Sequence, residues 1–476
     1  YPLLTPEPGW AEIDSEQVCR ACRAVIAEAA AACAADPVHG LGISCQGEAF
    51  TPVAADGRFL AGGMVSSDAR AQSLVGPWSE RFGESRLYEI TGHTPHPLFT
   101  IFKLLWLREN RPEIWSEAAK FYCYEDLFQA NLGLEPGISW PLAGRTMMFN
   151  VRTHQWDDDI LEAVELDASK LARPMASGQV VGTIPRGTAA ELGLGDDVLV
   201  VAGGHDQVAG ALGAGVVRPG VAMYATGTVE CICPAFEKPV FADELRRSNL
   251  CTYDHAMAGM YATLAYSLTG GNLLRWFRDQ WGQAEVEEAA RTGADPYDLL
   301  IGSMPPKPSG LSVLPYFTPS GTPYFDADVP GAILGLRLST TRGEVLRALL
   351  EGVAMEMRLN VDILDRAGLQ IKEFRAIGGG AKSPALTQLK ADVLGRPVTT
   401  LEVTEAGCLG VAMLACSAHV SVKPRELVDT WVQTTSQVDP NPHRADVYNE
   451  KFKTYKQLYP AMREFHQRSP LPLGEG

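Results

Sequence analysis

No stretch of this 476-residue sequence approaches the ~18 consecutive apolar residues of a membrane-spanning helix, so no transmembrane segment is expected. The opening YPLLTPEPGWAEID lacks the basic and then apolar regions of a secretory signal, which makes a cytoplasmic location the expectation. Long basic runs are missing too. With 41 Lys and Arg against 57 Asp and Glu the formal charge is −16, which argues against nucleic acid or an anionic membrane as a partner. Ten cysteines scattered over this length are not a disulfide framework. The one C-x-x-C, Cys19 and Cys22, lies in an Ala-rich stretch with no second pair and no strand before it, and reads as structural rather than as a metal or redox site. H-E-x-x-H and G-x-S-x-G are absent, and the nine histidines form no metal-spaced cluster, so a hydrolase reading has no nucleophile or metal to rest on. GGGAKS (378–383) fails the P-loop spacing, because Ala376 and Ala381 stand where glycines belong. AGALGAG (209–215) likewise fails the dinucleotide pattern.

What is present is the composition of an ordinary globular protein, 46% hydrophobic and 21% charged, long enough for two or three domains. Asp14 or Ser15 can cap a helix running to about Ala35, with Gln17 completing a capping box behind Asp14. VHGLGISCQG (38–47) reads as a strand and its turn, and Asp56-Gly57 as a hairpin turn. Residues 97–132 read as largely helical, with Leu98, Ile101, Leu104, Leu105 and Leu107 at helical spacing. A strand at 198–202 leads through a glycine turn into a helix, and two strands flank Thr226-Gly227-Thr228. One long helix is expected at about 341–367, then a strand–glycine–helix unit at 373–395, a strand at 398–402 and a helix at 407–418. Two such α/β units about 175 residues apart imply two related lobes, divided at Arg218-Pro219-Gly220 into residues 1–217 and 218–476.

The stretch VLVVAGGHDQVAGALGAG (198–215) admits two readings. In one, the polar residues only cap a tight strand-to-helix turn. In the other, Asp206 is a carboxylate aimed into a cleft. Glycine turns that open helices offer free N–H groups and the positive end of a helix dipole, which suit phosphate. Each of them taken singly is more often a connection than a ligand site.

Three segments together resemble the FGGY family of carbohydrate kinases: GGHDQVAGALGAGVVRPG with YATGT, SLTGGNLLRWFRD (267–279), and RALLEGVAMEMR with IGGGAKSPALTQLKADVLGRPV. PLLTPEPGWAEID, KLLWLRENRPEIW and SWPLAGRTMMFNVRTHQWDDDIL follow the family's order in the first half. The resemblance implies an α/β fold of two ribonuclease-H-like lobes, of the actin/hexokinase ATPase type, closing over a central cleft for a sugar and ATP with Mg²⁺. It implies ATP-dependent phosphorylation of a hydroxyl of a small sugar, ketose or polyol, with Asp206 as general base. By the same resemblance Gln46, Glu48, Asp68, Arg70 and Gln207 would touch the sugar; His205 reads as a packing or hydrogen-bonding neighbour rather than a second base. Thr226, Gly227 and Thr228 would form a phosphate loop, Gly271 would contact the nucleotide, and Gly378, Gly379, Gly380 and Ser383 would fall on the adenosine turn. No protein metal ligand is read, and a homodimer fits the family's habit.

The sequence also departs from the family. The family opens with a strand and a D-x-G-T-T/S phosphate loop ahead of the PLLTPEPGW stretch, whereas here that stretch begins at Tyr1 and no D-x-G-T occurs. An N-terminal β-hairpin is therefore expected to be missing from the first lobe, and a catalytically impaired relative that binds sugar or nucleotide as a sensor is the alternative function. QGEA (46–49) matches neither Gln-Met-His nor Gln-Arg-Glu, VSSDAR (65–70) lacks the usual tryptophan, and PSGTPYFD (319–326) lacks the usual Glu-Arg. The resemblance leaves the substrate open.

Overall fold

Asp14 opens the first helix, α1 (Ser15–Ala32), its carboxylate accepting the Gln17 N–H at 3.0 Å as the sequence predicts. The structure is a computed structural model and describes residues 1–469. Strand β1 (Gly40–Cys45) follows, then β2 (Phe50–Val53) and the turn at Asp56-Gly57, where Gly57 takes φ +87°. The expected helical span 97–132 divides. It holds α2 (Thr100–Asn110) and α3 (Pro112–Glu117), then a strand, β3 (Lys120–Cys123), then α4 (Tyr124–Asn131). Phe121, Tyr122 and Cys123 pair antiparallel with β2, and that tertiary pairing outweighs the helical spacing of their neighbours. The apolar residues Leu98, Ile101, Leu104, Leu105 and Leu107 all enter the core of the first lobe.

The main sheet of the first lobe is short. Strand β4 (Val180–Thr183) runs antiparallel to β5 (Leu199–His205), which lies parallel to β1. Helix α5 (Asp206–Gly213) leaves the end of β5. The second lobe repeats this plan and extends it. Strands β6 (Val221–Thr226) and β7 (Glu230–Phe236) form a hairpin. A small hairpin, β8 (Tyr253–Asp254) and β9 (Tyr261–Ala262), joins one end of β7, and β10 (Ala265–Ser267) pairs with its other end. After helix α6 (Gly271–Trp281) and the long α7 (Arg342–Arg366), β11 (Glu373–Ile377) docks parallel to β6. Helix α8 (Pro384–Leu394) leads to β12 (Val398–Leu401), parallel to β11, and helix α9 (Ala406–Val420) leaves it. Strand β13 (Thr434–Val438) closes that edge antiparallel, and α10 (Pro442–Arg468) packs beneath.

The order β10-β7-β6-β11-β12 is that of the ribonuclease-H fold, an antiparallel hairpin continued by two parallel strands. In the first lobe β1, β5 and β4 correspond to β11, β12 and β13. The edge of β1 that corresponds to the β6-bearing edge of β11 pairs with no strand among the described residues. All six residues of β1 accordingly stay half-buried.

Helices α5 and α9, which follow corresponding strands, pack on each other across the lobes, backbone against backbone. A Cβ on Gly213 would run into the Ala406 carbonyl oxygen, and one on Gly410 into the Ala209 carbonyl oxygen. A second link is the stretch before and through β8, which leaves the second lobe and lies on the first. Thr252 N–H donates to Gly92 O at 2.9 Å and Tyr88 O–H to Leu250 O at 3.1 Å. His154 Nε2 lies 2.9 Å from Asp254 Oδ1. Among the described residues no helix is long and apolar enough to cross a membrane, and the ten cysteines are free thiols. Burial raises the pKa of Cys19 to about 11 and that of Cys22 as well, so both stay protonated at neutral pH.

Because nothing between α5 and α9 can give way, Gly410→Ala or Gly213→Ala is expected to lower unfolding free energy by about 1–3 kcal/mol in urea titrations. Gly310→Ala, whose new methyl would meet nothing within 4 Å, serves as the control and should stay within about 0.5 kcal/mol of wild type.

Candidate active site

The position of Asp206 is set one strand earlier, by a bulge. Between Val201 and Gly204 strand β5 carries one residue more than its partner β1. The two glycines expected in a turn belong to this strand, which continues to His205, and Asp206 opens α5 directly. A side chain on Gly203 would strike the Ile43 carbonyl oxygen of β1, so only glycine fits. The Gly203 N–H freed from the ladder is taken by Glu125 Oε1 of α4 at 2.5 Å, while Glu125 Oε2 accepts from Ser139 N and Oγ at 3.0 and 2.6 Å. Burial raises the Glu125 pKa to about 7, against the pull of these three donors.

Asp206 sits between the lobes. Its charge reaches the Cys45 thiol of β1 on one side and the Cys231 thiol of β7 on the other; burial first, and Asp206 among the charges after it, push both up. Its side chain is 47% exposed, yet it lies among protein atoms deep enough to lose much of its hydration. That loss of water, followed by the nearby Glu48 carboxylate, raises its pKa to about 6; the backbone and side chain of Gln207, and Arg145, pull it back. His205 Nε2 lies 3.1 Å from Asp206 Oδ1, and His205 Nδ1 lies 3.2 Å from the Tyr253 hydroxyl of β8. Burial and the Arg145 charge keep the His205 ring neutral, so it holds the carboxylate in place without neutralising it. Glu48 is buried at the strained φ of +62° and forms an ion pair with buried Arg145. Arg145 lies over the rings of Phe99 and Tyr253 at 5.1 and 5.8 Å. The side-chain oxygen of Gln207 is buried without a partner.

A second set of the expected residues converges in the other lobe. Gly271 N–H donates to Gly227 O at 2.9 Å and Asn272 N–H to Thr228 O at 3.1 Å, which brings the start of α6 onto the β6–β7 turn. Thr226 Oγ1 donates to Ile377 O at 3.0 Å, and Cβ atoms on Gly378 or Gly380 would press on Thr226 at 2.9 Å. Residues 227–229 are exposed, so their backbone is open to a ligand. Beside the triple glycine opens a groove of about 620 Å³, lined by Gly378, Gly379, Ala381 and Lys382 and walled by Leu401 to Glu405. Gly380 and Ser383 lie outside that lining; the Ser383 side chain caps α8 by accepting the Leu386 N–H at 3.5 Å.

The remaining expected sugar contacts are placed differently. Gln46 is half-buried at the end of β1. Asp68 accepts the Ala11 N–H at 2.7 Å and holds Arg70, which also reaches Glu12 at 2.7 Å. The Arg70 guanidinium stacks on Trp10 at 3.8 Å. Asp68 and Arg70 are thus bound to one another and to the N-terminal segment. Arg145, Tyr253 and Glu125 escaped the sequence reading. Arg145 and Tyr253 lie about 60 and 50 residues from Asp206 with no short-range motif, and Glu125 was hidden in a span read as plain helix.

Residues 1–213 match the N-terminal domain of the FGGY family of carbohydrate kinases, and residues 222–419 match its C-terminal domain. A xylulose kinase of Lactococcus lactis subsp. lactis is 27% identical over 467 residues, covering 96% of this chain and 90% of its own length. A gluconokinase of Bacillus licheniformis is 27% identical over 400 residues, covering 83% of this chain and 75% of its own. The crystal structure of a xyloylose kinase from Brucella ovis superimposes with a TM-score of 0.87 at 26% identity, over 98% of this chain and 93% of that one.

Asp206 has a higher pKa in the folded protein than the 3.8 of a free aspartate, so the folded state binds its proton more tightly than the unfolded chain does. Its contribution to stability is greatest below pH 4 and is lost as pH rises through 6. Asp206→Asn is therefore expected to unfold at a higher temperature than wild type at pH 8, with the gap closing as pH falls toward 4 in calorimetric scans.

Proposed function

The chain belongs to the FGGY family of carbohydrate kinases, and from that premise we propose that Asp206 is the general base of ATP-dependent phosphorylation of a hydroxyl on a small sugar, ketose or polyol. The observation that carries this reading is the placement of Asp206. It is the half-exposed carboxylate at the start of α5, between the lobes, with a pKa near 6. A base of that pKa is ionised at neutral pH yet still takes a proton readily, which is where general bases work best.

In this reading the sugar lies on the first lobe against Asp206, Gln207 and the 46–48 turn. ATP lies on the second lobe, with adenosine in the groove beside Gly378 and Gly379. Its phosphates face the backbone of Thr226, Gly227 and Thr228 and the start of α6 at Gly271. The sugar oxygen attacks the γ-phosphorus and its proton passes to Asp206. The bond from phosphorus to the β-phosphate oxygen breaks, and ADP leaves. The protein's share of the work is alignment and proton acceptance. Mg²⁺ is usually held by one or two carboxylates together with nucleotide phosphates, and the residues present fit that mode rather than a protein cage. No three His, Cys, Asp or Glu side chains converge for a metal among the described residues, so the ion would be held chiefly by the nucleotide phosphates. When bound, Mg²⁺ would offset charge on the phosphates. Closure of the lobes about the α5–α9 crossing would exclude water from the reacting atoms.

ADP release in the presence of sugar tests the reading. Asp206→Asn should lower kcat roughly 10²–10⁴-fold with little change in sugar KM, and full retained activity would remove the base assignment. The acid limb of kcat/KM should fall near pH 6 in wild type and move to lower pH in Glu48→Gln, because Glu48 raises the Asp206 pKa.

A further inference from the structure

The two relatives with named sugars do not decide between substrate classes. One acts on a neutral ketose and the other on an anionic aldonate, and each is 27% identical to this chain. The charge at the floor of the first lobe does decide. We infer that this floor selects an uncharged polyhydroxy substrate, a ketose or polyol, and rejects aldonates; the inference rests on the placement of the sugar against Asp206 and Gln207 proposed above.

Every cation at or beneath the floor is already engaged. Arg145 is paired with Glu48, their side chains 8% and 4% exposed. Lys103, fully buried, donates to Val65 O at 2.9 Å. Arg70 is held by Asp68 and Glu12. The three imidazoles beside Arg145 add no charge. Burial first, and the Arg145 charge second, depress the pKa values of His93, His96 and His205. Asp206 is left as the uncompensated charge of the floor. Next to it the Gln207 Oε1 is an acceptor, buried and without a partner.

A carboxylate and an orphaned amide oxygen both call for donors. Hydroxyl groups of a neutral sugar supply an O–H to each. An aldonate brings similar hydroxyls, but its carboxylate has no proton to offer at neutral pH and adds a second negative charge to a floor that already carries Asp206. Engaged as they are, Arg145, Lys103 and Arg70 are too deeply buried to receive it. Like charges brought together without compensation cost enough to exclude a ligand.

The same geometry predicts how selection can be reversed. Glu48→Gln removes the partner of Arg145 and leaves a buried guanidinium that calls for an anion. In Glu48→Gln/Arg145→Met both charges go, and no such call remains.

The test is binding of xylulose, xylitol and gluconate to the full chain at pH 7.5, by calorimetry and by ligand-induced shift of the unfolding temperature, with ADP release measured in parallel. Wild type is expected to bind xylulose or xylitol roughly a hundredfold or more tighter than gluconate. Glu48→Gln should gain tenfold or more in gluconate affinity, and the double variant should gain none. Gluconate binding to wild type within tenfold of the better neutral sugar, or no binding of either neutral sugar, overturns the inference. ADP release that gluconate supports as well as xylulose overturns charge selection and leaves the phosphotransfer reading standing. Selective binding without ADP release does the reverse. Should Glu48→Gln not fold, wild-type selectivity alone decides.

Discussion

Two helices, one from each lobe, touch with no side chain between them, and the geometry of the cleft follows from that contact. Gly213 faces the Ala406 carbonyl and Gly410 faces the Ala209 carbonyl. Because α5 carries Asp206 at its first residue and α9 leaves the strand next to β11, this crossing is the pivot about which the carboxylate and the triple glycine at the end of β11 face each other. Larger residues at either glycine would wedge the lobes apart and move the two halves of the site out of register. Helix α9 also lies against β1, where a Cβ on Gly42 would come within 2.7 Å of Val411 O. Small residues thus serve one purpose throughout this region, the close approach of main chain to main chain.

Charge is handled by a parallel economy. The first lobe buries several carboxylates near the cleft and gives each a different fate. Glu125 is tied by three donors to strand β5 and holds the bulge. Glu48 is neutralised by Arg145, and Asp68 by Arg70. Asp206 alone keeps solvent access and an unpaired charge. The pKa elevation of Asp206 is therefore a property of its neighbourhood, in which loss of water and the Glu48 charge outweigh the Gln207 donors. Among the carboxylates of this lobe, the environments thus set one apart from the rest.

Much of this was legible in the sequence. The helix behind Asp14, the long helix capped at Thr341 and the strand–glycine–helix units follow from local rules that the tertiary structure does not override. Family resemblance picked out the Asp206 and triple-glycine segments, and the fold sets them at the ends of β5 and β11, the strand ends that face the cleft. What stayed hidden depends on contacts between distant segments. Strand β3 exists because β2 is there to pair with it, and the β5 bulge because Glu125 receives the displaced N–H. Arg145 and Tyr253 reach Glu48 and His205 from about 100 and 50 residues away, a distance at which no spacing rule operates. For Arg70 the surroundings were not legible, since Trp10, Glu12 and Trp106 come to it from other segments.

The stretch that leaves the second lobe and lies across the first bears on how this molecule can be taken apart. Residues 240–256 follow Arg218-Pro219-Gly220 in the chain, yet Phe241 rests against Tyr88 and beneath Arg152, and Asp254 reaches His154. Tyr253 sits against the His205 that steadies Asp206. A gene cut at the chain's apparent midpoint would strip the first half of its outer cover and of a hydroxyl that its histidine uses. The halves are consecutive as text and interleaved as objects, so a fragment that keeps the first lobe whole must carry the β8 segment with it.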